Sequence, residues 1–422
     1  MSAKATYAKL VLNLPELPPE LWLSIFAFAT ELHDALNEVQ SLFKFPGEVR
    51  AIQKYKKSYR SSLVTRRRLL LVCKQWRSLA IPFVYRHLLL ERRQTLPLLL
   101  RTLWASSRNS QENGETTPFG CYTKRLDICL REDSVDVGPT HGEILYYLPN
   151  TEIIVFCGRD YWNYNLPPIF ISSLEKAGSS VRVLNWQSPA FSPSVGAHHP
   201  ILSSTPNLTS LQLHWIGFTA NPLLSLPLLP HLRALSLIRL NDPCPDHPEP
   251  LLEHTINPFP ALTQIRLAPA WLIKDAHVQA ILQFCSSTIS SVHLSSTSAI
   301  SLDWSPSLAV LHQSGVRMTS LTLHMYQIFK TPSDDRVILH IPPSVSVLGL
   351  SFGQTQASDS VYNCVVKLVT SLKGDGLKVV RLDDRNVPDL WDKHPAVARG
   401  FAKALKAQGR RLEFGEGLGL ES

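Results

Sequence analysis

Histidines, carboxylates and cysteines are the residue types here that carry chemistry, and their spacing decides what they can do. His198-His199 is the one adjacent histidine pair in the 422 residues, set among Ser, Pro and Ala with no cysteine or carboxylate close by. Four tetrahedral ligands cannot be gathered locally, so a surface turn is expected there rather than a metal site. Asp383-Asp384 with Asp389 offers hard oxygen ligands, but a solvated loop after a strand is the better reading. The seven cysteines (Cys73, Cys121, Cys129, Cys157, Cys244, Cys285, Cys364) are an odd set without a C-x-x-C pair. That argues against a disulfide framework and a cysteine-rich zinc site, and fits a reducing compartment. Phosphate loops, dinucleotide fingerprints, zincin helices, nucleophile elbows and calcium loops are missing as motifs. No catalytic residue, metal or cofactor is therefore assigned, and the chain is read as non-enzymatic.

Charge narrows the partner classes. The formal net charge is +8, yet residues 44–101 hold fifteen Lys or Arg against Glu48 and Glu91 alone, giving +13, while residues 1–43 carry −3 and residues 102–422 carry −2. The run through Lys54, Lys56, Lys57, Arg60 and Arg66 to Arg68 suits an acidic protein partner or a solvated helix face. No nucleic-acid-binding signature accompanies it, so no nucleic-acid partner is assigned. No segment reaches the ~18 apolar residues of a membrane span, and the N-terminus lacks a signal-type apolar run. The expectation is no membrane partner and a cytoplasmic and/or nuclear location.

These residues must be positioned by elements that the leucines reveal. A pattern L-x-x-L-x-L recurs, clearly at Leu208/Leu211/Leu213, Leu232/Leu235/Leu237, Leu262/Ile265/Leu267, Ile289/Val292/Leu294, Met318/Leu321/Leu323, Val345/Leu348/Leu350 and Leu377/Val380/Leu382. Weaker copies centre on Leu126, Ile154, Leu184 and Leu412, and successive centres lie 28, 30, 27, 24, 30, 27, 29, 27, 32 and 32 residues apart. A period near 28 is that of leucine-rich repeats, in which each strand and its returning helix bury a face only by stacking on the next unit. The fold class is accordingly α/β, with a curved leucine-rich-repeat solenoid of about 11 repeats over residues 119–416. Helices are expected at Asp275 to Cys285 and Asp359 to Leu372, with Gly374 and Gly409 as C-caps. Pro206, Pro230, Pro260 and Pro343 lead into strands. The Asn or Cys ladder that usually follows the strand is missing, so the turns must be satisfied otherwise.

Ahead of the array, residues 18–29 read as a helix begun by Pro18-Pro19-Glu20, with Leu21, Ile25 and Phe28 in one apolar row and Trp22 and Phe26 in a second. A helix apolar on two faces needs two partners. A second helix is expected over 66–80, ended by Pro82. The run Leu17-Pro18-Pro19-Glu20-Leu21-Trp22-Leu23-Ser24-Ile25-Phe26, joined to Leu70-Leu71-Val72-Cys73-Lys74-Gln75-Trp76-Arg77, resembles an F-box, most of all that of fungal F-box-like proteins followed by leucine-rich arrays.

The resemblance implies a small helical domain over residues 15–104, docking on the Skp-type adaptor of an SCF cullin-RING ubiquitin ligase while the array holds the protein target. Leu17, Pro18, Leu21, Ile25, Phe26, Val72, Cys73 and Trp76 would form the adaptor surface and the domain's small core. This chain differs by a basic insert, residues 31–65, between the two halves. The expected organisation is completed by a flexible N-terminus (1–14), a loop (105–118) and a flexible tail (417–422). The alternative is an interaction scaffold unrelated to ubiquitin, its N-terminal helices capping the solenoid.

On each strand the residues between the leucines point to the opposite, concave face. Gln212, His214, Arg266, His293, His324 and Arg381 are therefore expected exposed there, on strands about 5 Å apart. With histidines that gain charge toward pH ~6, they would suit an acidic target segment.

Overall fold

The computed structural model describes residues 17–30, 49–113, 117–129, 138–156, 168–186, 200–214, 227–238, 257–296, 304–325, 339–352, 369–382, 395–414 and 418–419. Each of the eleven leucine patterns becomes one short strand, β2 (Arg125–Ile128), β3 (Ile153–Phe156), β4 (Val183–Trp186), β5 (Ser210–His214), β6 (Ala234–Ile238), β7 (Gln264–Ala268), β8 (Ser291–Ser296), β9 (Ser320–Met325), β10 (Val347–Phe352), β11 (Val379–Leu382) and β12 (Arg411–Phe414), and a further strand, β1 (His87–Leu90), precedes them. They form one parallel sheet in sequence order, closed by a short antiparallel β13 (Leu418–Gly419). The middle repeat positions pair in a single row, from Leu126 through Ile154, Leu184, Leu211, Leu235, Ile265, Val292, Leu321, Leu348 and Val380 to Leu412. All eleven expected centres share that row, and Leu88 adds a twelfth before them.

Helices cover the leucine side. Ile144 and Leu145 of α5 (Gly138–Tyr146), Phe170 and Leu174 of α6 (Pro168–Ala177), Ile281 of α7 (Ala276–Phe284), Leu308 of α8 (Ser305–Gln313) and Leu405 of α9 (Pro395–Ala407) join the strand leucines in one buried cluster. Burying such a side chain contributes about 1.5 to 3 kcal/mol, so cutting Leu235, fully buried mid-array, to Ala would cost roughly 2 to 5 kcal/mol.

Pro206, Pro230, Pro260 and Pro343 are each the second residue of a tight turn. Leu208 N–H donates to Thr205 O, Leu232 to Leu229, Leu262 to Phe259 and Val345 to Pro342, at 3.0–3.2 Å. Proline fixes φ where such a turn needs it. In place of an Asn ladder the chain runs a hydroxyl ladder one residue ahead of the strands. Thr209 bonds Arg182 O, Thr263 bonds Arg233 O, Ser290 bonds Thr263 O, Thr319 bonds Ser290 O and Ser346 bonds Thr319 O, at 3.0–3.3 Å.

Several expectations are corrected. The boundary drawn at 104/119 does not separate helices from sheet: β1 lies inside 15–104, and α4 (Leu96–Asn113) runs through most of the supposed loop. Helix α2 (Val49–Leu70) takes in residues 49–65 of the basic insert and the start of the helix expected over 66–80. The chain breaks at 71–73 and resumes as α3 (Lys74–Tyr85), with Cys73 as N-cap. Pro82 lies within α3 instead of ending it. It removes one hydrogen bond, and packing of Phe83 on Phe26 and Tyr85 on Phe119 holds the last turn in place. Gly409 has φ +69, the left-handed value of a helix C-cap, whereas Gly374 does not. The tail is not wholly free, since β13 pairs with β12. Cys129 is disulfide-bonded, where the cysteine pattern argued against a disulfide framework and for a reducing compartment. Most of the helix expected over 359–372 lies outside the described residues, as do His198, His199, Asp383, Asp384 and Asp389.

Candidate protein-docking site

Helix α1 (Pro19–Thr30) uses one of its two apolar rows internally. Trp22 and Phe26 meet Trp76 of α3 at ring-centroid distances of 4.6 and 5.0 Å, and Phe26 also meets Phe83 at 6.3 Å. Phe26 is thus core, and Trp76 is half-buried. The C-terminal carbonyl of α1, Thr30 O, accepts from Ser62 Oγ and Arg66 Nη2 of α2 at 2.7 and 3.1 Å, a cation where the helix dipole favours one. The second row stays open: Leu21 and Ile25 are about half exposed and Phe28 is 79% exposed. Leu17, Pro18 and, on the turn into α3, Leu71, Val72 and Cys73 are exposed as well. Cys73 also has a local task, since its Sγ accepts from Trp76 N–H. The expected adaptor residues are therefore placed together, with Phe26 beneath them and the rest at the surface or its edge. Exposed apolar residues so concentrated mark a contact surface.

Part of the basic run is taken up inside the fold. Lys56 Nζ and Arg60 Nη2 both reach Glu91, at 2.8 and 2.9 Å. Arg66 is buried, its guanidinium 5.9 Å from the Tyr59 ring centroid. Lys57, Arg67 and Arg68 remain exposed.

The residues of the face opposite the leucines are largely buried, against expectation. Gln212 and Arg266 are each 1% exposed and His324 5%. Gln212 donates to Trp186 O, and Arg381 pairs with Glu413 at 2.9 Å. His293 and Arg381 are half-buried, and the His214 side chain lies outside the described set. Nor do His293 and His324 charge near pH 6. Burial and the Arg266 charge push His293 down to about 3 and His324 down to about 2. Burial lowers Arg266 itself to about 10. Between such polar positions the same face carries an apolar patch, in which Leu89, Cys129, Ile153, Val155 and Val183 pack together.

At the β1–β2 end this face carries a network the sequence reading missed. His87, Arg125 and Asp127 point away from the leucines into the side chains of α2. Tyr55 Oη donates to Asp127 Oδ2 and lies 2.9 Å from His87 Nε2, which is 2.9 Å from Asp127. Arg125 Nε donates to the other carboxylate oxygen at 2.8 Å. Tyr59 Oη donates to His87 O and accepts from Leu89 N–H. Burial alone would raise the Asp127 carboxyl, but Arg125 and His87 outweigh it and hold the group well below the usual carboxylate range. Burial pushes His87 down and Tyr55 up. The arrangement keeps one ion pair ionised and His87 neutral, which suits a lock between helix and sheet. Charged residues inside two otherwise apolar strands, and Tyr55 and Tyr59 one helical turn apart, were the available signals.

No family model matches the chain, and no curated protein matches it. Among solved structures, the leucine-rich repeat-containing protein LegL7 from Legionella pneumophila is similar in part, with 13% identity, 68% of this chain and 82% of that chain covered, and a TM-score of 0.35. The repeat assignment rests on the strand ladder itself. No helix among the described residues is long and apolar enough to cross a membrane.

Proposed function

We propose that this chain is the substrate-recognition subunit of an SCF-type cullin-RING ubiquitin ligase, in the cytoplasm and/or nucleus. Helices α1 and α3 dock on the Skp-type adaptor, which bridges to the cullin scaffold, and the repeat array holds the target protein. The chain catalyses nothing itself; ubiquitin transfer belongs to partner subunits. One observation carries the reading: α1 has two apolar rows, and only the Trp22/Phe26 row is used by its own domain. The test is co-expression of the full chain with the adaptor. Wild type should co-purify with it, and Leu21→Asp or Ile25→Asp should abolish this with thermal stability unchanged, because a carboxylate in a desolvated interface has no partner. Absence of the adaptor from wild-type preparations, or indifference to both substitutions, would defeat the reading. The second reading, a scaffold unrelated to ubiquitin with a helical cap, would then stand. It draws on the Tyr55–His87–Asp127 network, which fastens α2 to the first strands as a solenoid cap requires.

A further inference from the structure

A groove of about 420 Å³ runs along the approach to β2 through β6. Its wall holds the residues one position ahead of those strands: Lys124, Glu152, Arg182, Thr209 and Arg233. Glu152 N–H donates to Lys124 O, Arg182 to Glu152, Thr209 to Arg182 and Arg233 to Thr209, at 2.8–2.9 Å, so the sheet fixes this row at strand spacing. Arg182 and Arg233 stand either side of Thr209, roughly 10 Å apart along the backbone row. The one carboxylate in the groove, Glu152, is taken by Lys124 at 2.5 Å. Thr209 Oγ1 is committed to Arg182 O and Asn207 Nδ2 to Ser179 O, and Ser180 Oγ has three carbonyls within 2.9 Å for its one proton. What faces solvent undischarged is two guanidinium groups with His231 beside them; neither arginine has an acidic partner among the described residues.

We infer that this groove binds an acidic segment of a partner protein, an extended peptide whose Asp or Glu carboxylates pair with Arg182 and Arg233. A planar fork of donors matches a carboxylate bidentately, and two forks on a rigid row select paired charges along an extended chain. The groove has no Phe, Tyr or Trp on which successive bases could stack, and the single imidazole of His231 is no stacking platform, which favours an acidic peptide over nucleic acid. The inference names one site for the target-holding half of the proposed function and rests on the array binding proteins, not on the adaptor.

The experiment is fluorescence anisotropy on the full chain with four probes: labelled oligoglutamate, oligoglutamine, a phosphoserine peptide of the same length and a single-stranded oligonucleotide. The variants are Arg182→Glu/Arg233→Glu and, with the same charge change on exposed positions elsewhere, Arg101→Glu/Lys403→Glu. The expected result is salt-sensitive oligoglutamate binding, absent for oligoglutamine, that falls roughly ten-fold or more in the first variant and is unchanged in the second. Thermal unfolding of both should match wild type. Adaptor co-purification, measured on the same variants, should not move, so failure of the groove and failure of the ligase reading are read separately. No oligoglutamate binding, an equal loss in both variants, or tighter binding of the phosphopeptide or oligonucleotide overturns the inference.

Discussion

His87, His293 and His324 make the protein sensitive to mild acid. Each has its folded-state affinity for protons lowered, while in the unfolded chain each titrates near the ordinary value of about 6.5. Below that pH the unfolded state binds protons that the folded state refuses, so stability falls as pH drops, and above it these groups add no slope. The slope reaches about 1.4 kcal/mol per pH unit for each such histidine. Asp127 acts lower down: its carboxyl stays ionised in the fold, so the stability it provides is lost only below about pH 4. Urea midpoints at pH 7, 6 and 5 should decline in order, and His324→Gln should flatten the decline. Equal midpoints across that range would refute the argument. The sequence placed His293 and His324 on the correct side of their strands, but the alternation of a strand says only which way a side chain points. Whether that side is open to water depends on packing, and the run Ile153-Ile154-Val155-Phe156, apolar on both faces, was the legible warning that part of it is not.

Among the elements, α9 offers two glycines with opposite roles. Gly409 follows the helix at φ +69, with Arg410 N–H donating to Leu405 O and Gly409 N–H to Lys406 O, both orphan carbonyls of the last turn. Gly400 is mid-helix with nothing within 4 Å of an added Cβ. Gly409→Ala should destabilise by about 1 kcal/mol, because an L side chain resists the left-handed region, and Gly400→Ala should stabilise by about 0.5 to 1 kcal/mol. Thermal melts showing the same sign for both would contradict this. Gly409 was readable as a cap because a helical pattern stops just before it. The break at 71–73 was not, since Leu69 through Trp76 keeps helical spacing across it and only the N-cap geometry of Cys73 marks the restart. Strand β1 escaped because Tyr85 occupies its first repeat position and belongs to α3. The insert shows the same limit. Lys56 and Arg60 look like free charge until Glu91, distant in sequence, is placed beside them. Salt-sensitive adaptor binding is accordingly expected to respond to neutralising Lys57, Arg67 and Arg68 and to ignore Lys56 and Arg60; a reverse result in pull-downs at graded salt would be evidence against it.

Across the molecule, each repeat contacts its neighbours, so stability is close to a sum of unit and interface contributions that propagate along the sheet. The N-terminal helices belong to that chain of interfaces through Tyr55, Tyr59, His87, Arg125 and Asp127, and cutting the chain after residue 90 would strip β1 of β2, its strand partner among the described residues. Breaking a buried ion pair by removing one member costs about 3 to 5 kcal/mol, since the survivor is left uncompensated. Asp127→Asn does this to Arg125. Tyr55→Phe is milder and removes only the hydroxyl that ties α2 to the pair, about 1 to 3 kcal/mol. Neither change touches β5 to β10, whose leucines pack without the network. Hydrogen exchange should therefore separate the two regions. In wild type the amides of α2 and β1 should open together with β2. In Tyr55→Phe they should exchange faster, in Asp127→Asn faster still, and in both variants the strands from β5 to β10 should keep wild-type protection. Uniform loss of protection along the sheet would make the molecule a single cooperative unit. Unchanged exchange in α2 would mean that the network does not hold the helix.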